Sequence, residues 1–172
     1  SFLIYEGLWD EGLAVVKTVD ERYRRAGRYW DHQEFGSHYY RPMAAWMILH
    51  AMAGMSLNQG VLGFTPRVPA KVAARGMRVF FATPTATAHY VQGAGAARTA
   101  GVEVRTGELV LKGLDVVIEG AAKEKVKVTV DGKPAPAATI NVAGGGPSKT
   151  VSLRFAEPLR LAAKQVIEVR GR

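Results

Sequence analysis

Apolar positions change their spacing near residues 63–76. Before that boundary they recur at helical intervals. In "YEGLWDEGLAVVKTVDERYRRAG", Tyr5, Leu8, Val15, Val16, Val19 and Tyr23 fall close to a 3.6-residue period, which predicts an amphipathic helix. Arg22, Arg24 and Arg25 suit the negative end of its dipole, and Gly27 suits its cap. Gly7 and Gly12 fall inside this pattern, so close packing against a neighbouring helix is expected to offset their cost of about 1 kcal/mol each. A second helix is expected from near Ser37 or Tyr39 to about Met55. Pro42 fits its first turn and Gly54 its end. "MAAWMILHAMAG" is apolar nearly all round, which predicts burial on most sides. "SLNQGVLGFTPRVPA" then reads as a loop.

The remainder alternates with a period of two. "MRVFFAT" and "ATAHYVQ" are short strands. "GVEVRTGELVLKGLDVVIEG" reads as two strand runs joined at Thr106–Gly107. "KVKVTVDGKPA" carries the strongest hairpin signal, Asp131–Gly132. "ATINVAGGGPSKTVSLRFAEPLRLAAKQVIEVR" supplies three or four more strands around a "GGGPS" loop. The expected fold class is α+β, with a helical part over 1–66 and a β-rich, sandwich-like part over 67–172.

Composition narrows this picture without redrawing it. The chain has 172 residues, 48% hydrophobic and 22% charged, an ordinary globular balance. No run of apolar residues is long enough for a membrane helix. Cysteine is absent, which excludes disulfides, thiolate metal sites and a Cys nucleophile, and leaves the compartment open. The start, "SFLIY", lacks the features of a signal peptide and reads like the middle of a helix, so the chain is expected to be part of something longer. Residues 1–66 carry six Lys/Arg against seven Asp/Glu; 67–172 carry 17 against 8, and hold the whole basic surplus of the +8 chain. Those basic residues are scattered, which argues for a solvated surface over a nucleic-acid interface.

Candidate chemistry concentrates in "YWDHQEFGSHYYRPMAAW", residues 29–46. His32 and His38 lie six apart, with Glu34 between them; the spacing fails the HExxH pattern, and no third metal ligand is evident. Ser37, His38 and Glu34 lack a G-x-S-x-G elbow, and triad members normally converge from separate segments. The glycines of "GAGAAR" (Gly93–Arg98) and "GGG" (Gly144–Gly146) match no phosphate-loop pattern and read as turns. No metal or cofactor is expected. Two readings of the stretch stand side by side. Its carboxylate, arginine and aromatic rings suit sugar recognition. They also suit a helix entry whose polar groups satisfy first-turn N–H groups.

Three blocks resemble one family. "FLIYEGLWDEGLAVVKTV" is similar to "ATMIYEGLxxEG", "EFGSHYYRPMAAW" to "ECGxHYxRxMASW", and "GFTPRV" to "GFAPRL" of glycoside hydrolase family 116. That family comprises bile-acid β-glucosidases (non-lysosomal glucosylceramidases) and microbial β-glucosidases and β-xylosidases. The resemblance covers about Phe2–Val68 and fades after about Gly120. It implies the last helices of an (α/α)6 toroid followed by a β-rich C-terminal region. It implies a retaining β-glycosidase whose catalytic carboxylates lie upstream, so this chain alone is expected to be inactive and to need the N-terminal remainder as its partner. On this match Glu34 and Arg41 hold the sugar, with His32, His38 and Arg67 beside them. His32 stands where the family has a second glutamate, and Phe35 where it has cysteine. The alternative is a non-catalytic β-rich module that binds a polymer, a cell surface or a partner chain through its basic surface.

Overall fold

The computed structural model describes residues 1–28, 43–94 and 99–171. Its helices are α1 (Phe2–Tyr5), α2 (Trp9–Arg25), α3 (Met43–Ala53) and the short α4 (Ala70–Ala73). The expected first helix is two. Gly7 adopts φ +84°, a left-handed conformation that ends α1 and turns the chain before α2. Gly12 lies within α2, and a Cβ there would come 2.7 Å from Ile4 Cγ1. The missing side chain thus lets α2 press onto α1 and bury Ile4 completely. Tyr5 Oη donates to the Met55 carbonyl at 3.2 Å, tying α1 to the first strand. α3 ends at Gly54, φ +56°, where the sequence places its stop. Its expected start, like Pro42, lies outside the described residues.

Ten strands follow among the described residues: β1 (Met55–Asn58), β2 (Val61–Phe64), β3 (Met77–Ala82), β4 (Ala86–Gln92), β5 (Thr99–Glu119), β6 (Lys127–Val130), β7 (Lys133–Pro134), β8 (Ala138–Ala143), β9 (Ser148–Ala162) and β10 (Val166–Arg170). The stretch after α3, expected as a loop, is the β1–β2 hairpin. Gln59 (φ 49°) and Gly60 (φ 84°) form its two-residue turn, which uses positive φ at both positions. Regular β-structure therefore starts at Met55, inside the segment that the sequence groups with the helices.

β5 organises everything else. Its first half pairs with β4 and β10, giving the order β3-β4-β5-β10-β6-β7. Its second half pairs with β2 and β9, giving β1-β2-β5-β9-β8. β2 with β5 is the one parallel pair among the described strands. The expected break at Thr106–Gly107 does not form. Gly107 takes φ +74° against the Thr85 carbonyl, in space no side chain could share, and β5 runs on from one sheet into the other.

Two register shifts make this crossing consistent with burial. Ala100, Val102 and Val104 face inward, then Leu109 and Leu111, then Leu114, Val116 and Ile118. Each change of phase coincides with an irregularity, one at Arg105 and one at Lys112. An extra residue inverts every side chain beyond it, so the shifts keep the apolar set inside. The inward residues of both sheets form one core. Phe64 of β2 stacks on Tyr90 of β4 (4.2 Å, 13°) and tilts against Phe81 of β3 (5.3 Å, 59°), joining the two faces. Asp131–Gly132 forms the expected β6–β7 turn, and the Asp131 carboxylate accepts from the Val166 N–H at 2.9 Å and Gln165 Nε2 at 3.0 Å. The observed class is α+β with a large sheet; the described helices display no toroid.

Candidate functional site

Four of the five sugar-binding candidates, His32, Glu34, His38 and Arg41, lie outside the described residues. The elements on either side are described. α2 brings the chain to a basic end, where Arg22, Tyr23, Ala26 and Arg28 line a cavity of about 280 Å³. α3 takes it up again at Met43. Arg67, the fifth candidate, is exposed in the connection between β2 and α4.

The helices also present apolar side chains to solvent. Phe2 is 72% exposed, Val15 55% and Val19 51%; Leu8, Met47 and Leu49 are exposed as well. Val15 and Val19 line a shallow cavity of about 330 Å³ with Ala14, Thr18 and Arg22. A stripe of this kind is what a helix normally turns toward a core.

Two polar constellations occupy the outer faces of the sheets. On the first, Glu103 of β5 accepts from Arg78 of β3 at 2.6 Å and from Arg105 at 2.8 Å. Burial pushes the Glu103 carboxyl up, but the two arginine hydrogen bonds outweigh it and hold the group below the usual carboxylate range. His89 of β4 lies 3.4 Å from Arg78 through Nδ1. Burial, together with the charges of Arg78 and Arg105, pulls this imidazole below the usual histidine range. Phe80 packs edge-on against it, at 6.0 Å.

On the second sheet, the register aligns polar residues across five strands. One row runs Ser56–Gly63–Asp115–Ser152–Asn141, and the next Asn58–Val61–Gly113–Arg154–Thr139. A cleft of about 560 Å³ lies on this face, lined by Ser56, Asn58, Gln59, Val61, Lys112, Asp115 and Arg154. Arg154 grips Asp115 as a fork, Nη1 to Oδ1 at 2.5 Å and Nη2 to Oδ2 at 3.1 Å. That bond raises the guanidinium pKa further. The Lys112 N–H donates to the Gly60 carbonyl at 2.8 Å, which pins the β1–β2 turn to the bulge in β5.

Sequence reasoning found neither constellation. Each residue belongs to the polar half of an alternating strand, a signal that marks solvent exposure but not which strands become neighbours. Among the described residues, no three His, Asp or Glu side chains converge in a way that could hold a metal ion. No described helix is long and apolar enough to cross a membrane. Comparison of the chain with protein-family models, with curated proteins and with solved structures finds no match.

Proposed function

We propose that this chain is the C-terminal part of a retaining β-glycoside hydrolase of the family 116 type. In this reading Glu34 and Arg41, with His32, His38 and Arg67, hold the hydroxyls of the glycone. The catalytic acid/base and nucleophile are supplied by residues outside this sequence, a carboxyl pair about 5–5.5 Å apart in retaining enzymes. Arg41 offers a planar fork of donors, and Glu34 accepts from hydroxyls in return. Each such charged hydrogen bond contributes about 1.5–3 kcal/mol.

The observation that carries the reading is the order and character of the three sequence blocks over Phe2–Val68. The exposed apolar side chains Phe2, Leu8, Val15 and Val19 support it, because further helices of an (α/α)6 toroid would cover them. The test is hydrolysis of aryl β-glucosides and β-xylosides by the protein with its preceding residues in place. Arg41→Ala is expected to lower kcat/KM at least about 100-fold, roughly two charged hydrogen bonds, with the circular-dichroism spectrum unchanged. Wild-type kinetics in that variant, or no turnover of any β-glycoside by the unsubstituted protein, overturns the assignment.

The second reading, a non-catalytic β-rich module, is favoured by the basic surplus of 67–172. Binding of that surface to a polyanion would weaken steeply with added salt.

A further inference from the structure

We infer that the outer face of the second sheet is a binding site for a neutral oligosaccharide, held in the cleft between the β1–β2 hairpin and the Asp115–Arg154 pair. The site uses none of the candidates at residues 32–41, and its test reads binding to this chain without turnover. Failure of the hydrolase reading therefore leaves it standing, and its own failure leaves that reading untouched.

The cleft has the shape for such a ligand. Its lining residues come from the β1–β2 turn and four neighbouring strands, β1, β2, β5 and β9, about 14 Å at the usual strand spacing, and the ligand path lies perpendicular to them. Val61 adds one apolar side chain to an otherwise polar lining. The β1–β2 hairpin forms one wall, with Ser56, Asn58 and Gln59 on it, and the Asp115–Arg154 pair forms the other.

The chemistry is mixed in the way hydroxyl groups require. A sugar hydroxyl both donates and accepts, so a site for it needs both kinds of partner. Asp115 and the amide oxygens of Asn58 and Gln59 accept. Arg154, Lys112 and the amide NH₂ groups donate, and Ser56 does either. The side chains of Ser56, Asn58, Gln59 and Lys112 make no hydrogen bond to any described residue, so their capacity is unspent. Asp115 and Arg154 are already fixed by each other, and little side-chain freedom is lost when a ligand adds to them.

Charge argues against a polyanion here. Arg154 and Asp115 neutralise one another, which leaves Lys112 as the lone unbalanced charge in the cleft. A phosphate or sulfate chain would meet the Asp115 carboxylate and one ammonium group. A neutral polyol meets a hydrogen-bonding side chain from every lining residue but Val61. The rows contain no aromatic platform, so affinity rests on hydrogen bonds and is expected near millimolar.

The test titrates ¹⁵N-labelled full-length chain with xylohexaose, cellohexaose and, as a polyanion, a heparin oligosaccharide. Amide shifts from a neutral hexasaccharide are expected at Ser56–Val61, Lys112–Asp115 and Ser152–Arg154, saturating near about 1 mM and indifferent to added salt. The double variant Ser56→Ala, Asn58→Ala alters two exposed side chains and is expected to weaken binding about five-fold or more, with the rest of the spectrum unmoved. The inference is overturned by no shifts at about ten times that concentration, by shifts elsewhere, or by equal binding in the double variant. Binding of heparin alone, lost with salt, overturns it too.

Discussion

Phe80 and Phe81 are neighbours of identical chemistry, and the structure assigns them opposite fates. Phe81 is 1% exposed, in the core against Phe64; Phe80 is 38% exposed, on the outer face beside His89. Truncating Phe81 to alanine removes a fully buried ring and leaves a cavity between the sheets, at a cost of about 3–5 kcal/mol. Truncating Phe80 loses partial burial and one edge contact, and water fills the space, so the cost is about 1 kcal/mol. The difference is at least about 2 kcal/mol. With a urea m-value of about 2 kcal/mol/M, Phe81→Ala is expected to unfold at least about 1 M urea earlier than Phe80→Ala. Equilibrium unfolding followed by tryptophan fluorescence and far-UV circular dichroism measures this directly. Equal midpoints at equal m-values, or the reverse order, would refute the β3 register and the two-sheet core built on it. Phe64→Ala serves as the companion, with a loss like that of Phe81→Ala, since Phe64 touches Phe81 and Tyr90 together.

Three further outcomes are expected. Tyr90 Oη is buried without a hydrogen-bond partner among the described residues. Tyr90→Phe should therefore be neutral or stabilising by up to about 1 kcal/mol, and a loss above that in thermal unfolding would reveal a partner. Gly12→Ala places a methyl against Ile4 Cγ1 and should cost about 1–3 kcal/mol despite better helix propensity; a gain in Tm would mean that α1 does not pack there. Glu103, whose carboxyl is held below its ordinary value, contributes stability above the unfolded carboxylate range and loses it as pH falls through its folded pKa. His89, also lowered, binds its proton less readily when folded, so its contribution fades as pH drops below the usual histidine range. The double variant His89→Gln, Glu103→Gln should thus flatten the acid side of the Tm–pH curve, by under about 1 kcal/mol because both groups sit near solvent. An unchanged slope would refute the network.

Local signals were readable where one residue dictates the backbone. Asp131–Gly132 and Gly54 act through left-handed φ values that few other residues adopt, and both occur where expected. Gly12 reads correctly as a packing glycine. Gly7 does not, because a glycine inside an apolar pattern serves a tight crossing or a turn equally well, and only the position of Ile4 separates the two. Gln59–Gly60 was missed because glutamine rarely marks a left-handed turn. Thr106–Gly107 misled for the opposite reason: the glycine is at positive φ, but it bends one strand rather than joining two.

By itself the sequence determined the change from helical to β periodicity, the absence of cysteine chemistry, the basic character of the second part, and the stretch at residues 29–46 where charged and aromatic residues collect. Those follow from side-chain identity and short-range spacing. Tertiary structure decided that β5 belongs to two sheets, that β2 joins it in parallel, and that Ser56, Asp115, Ser152 and Asn141 share one row. Pairing between distant strands depends on which register buries the most apolar surface across the whole core. That sum runs over residues far apart in the chain, so no local pattern contains it.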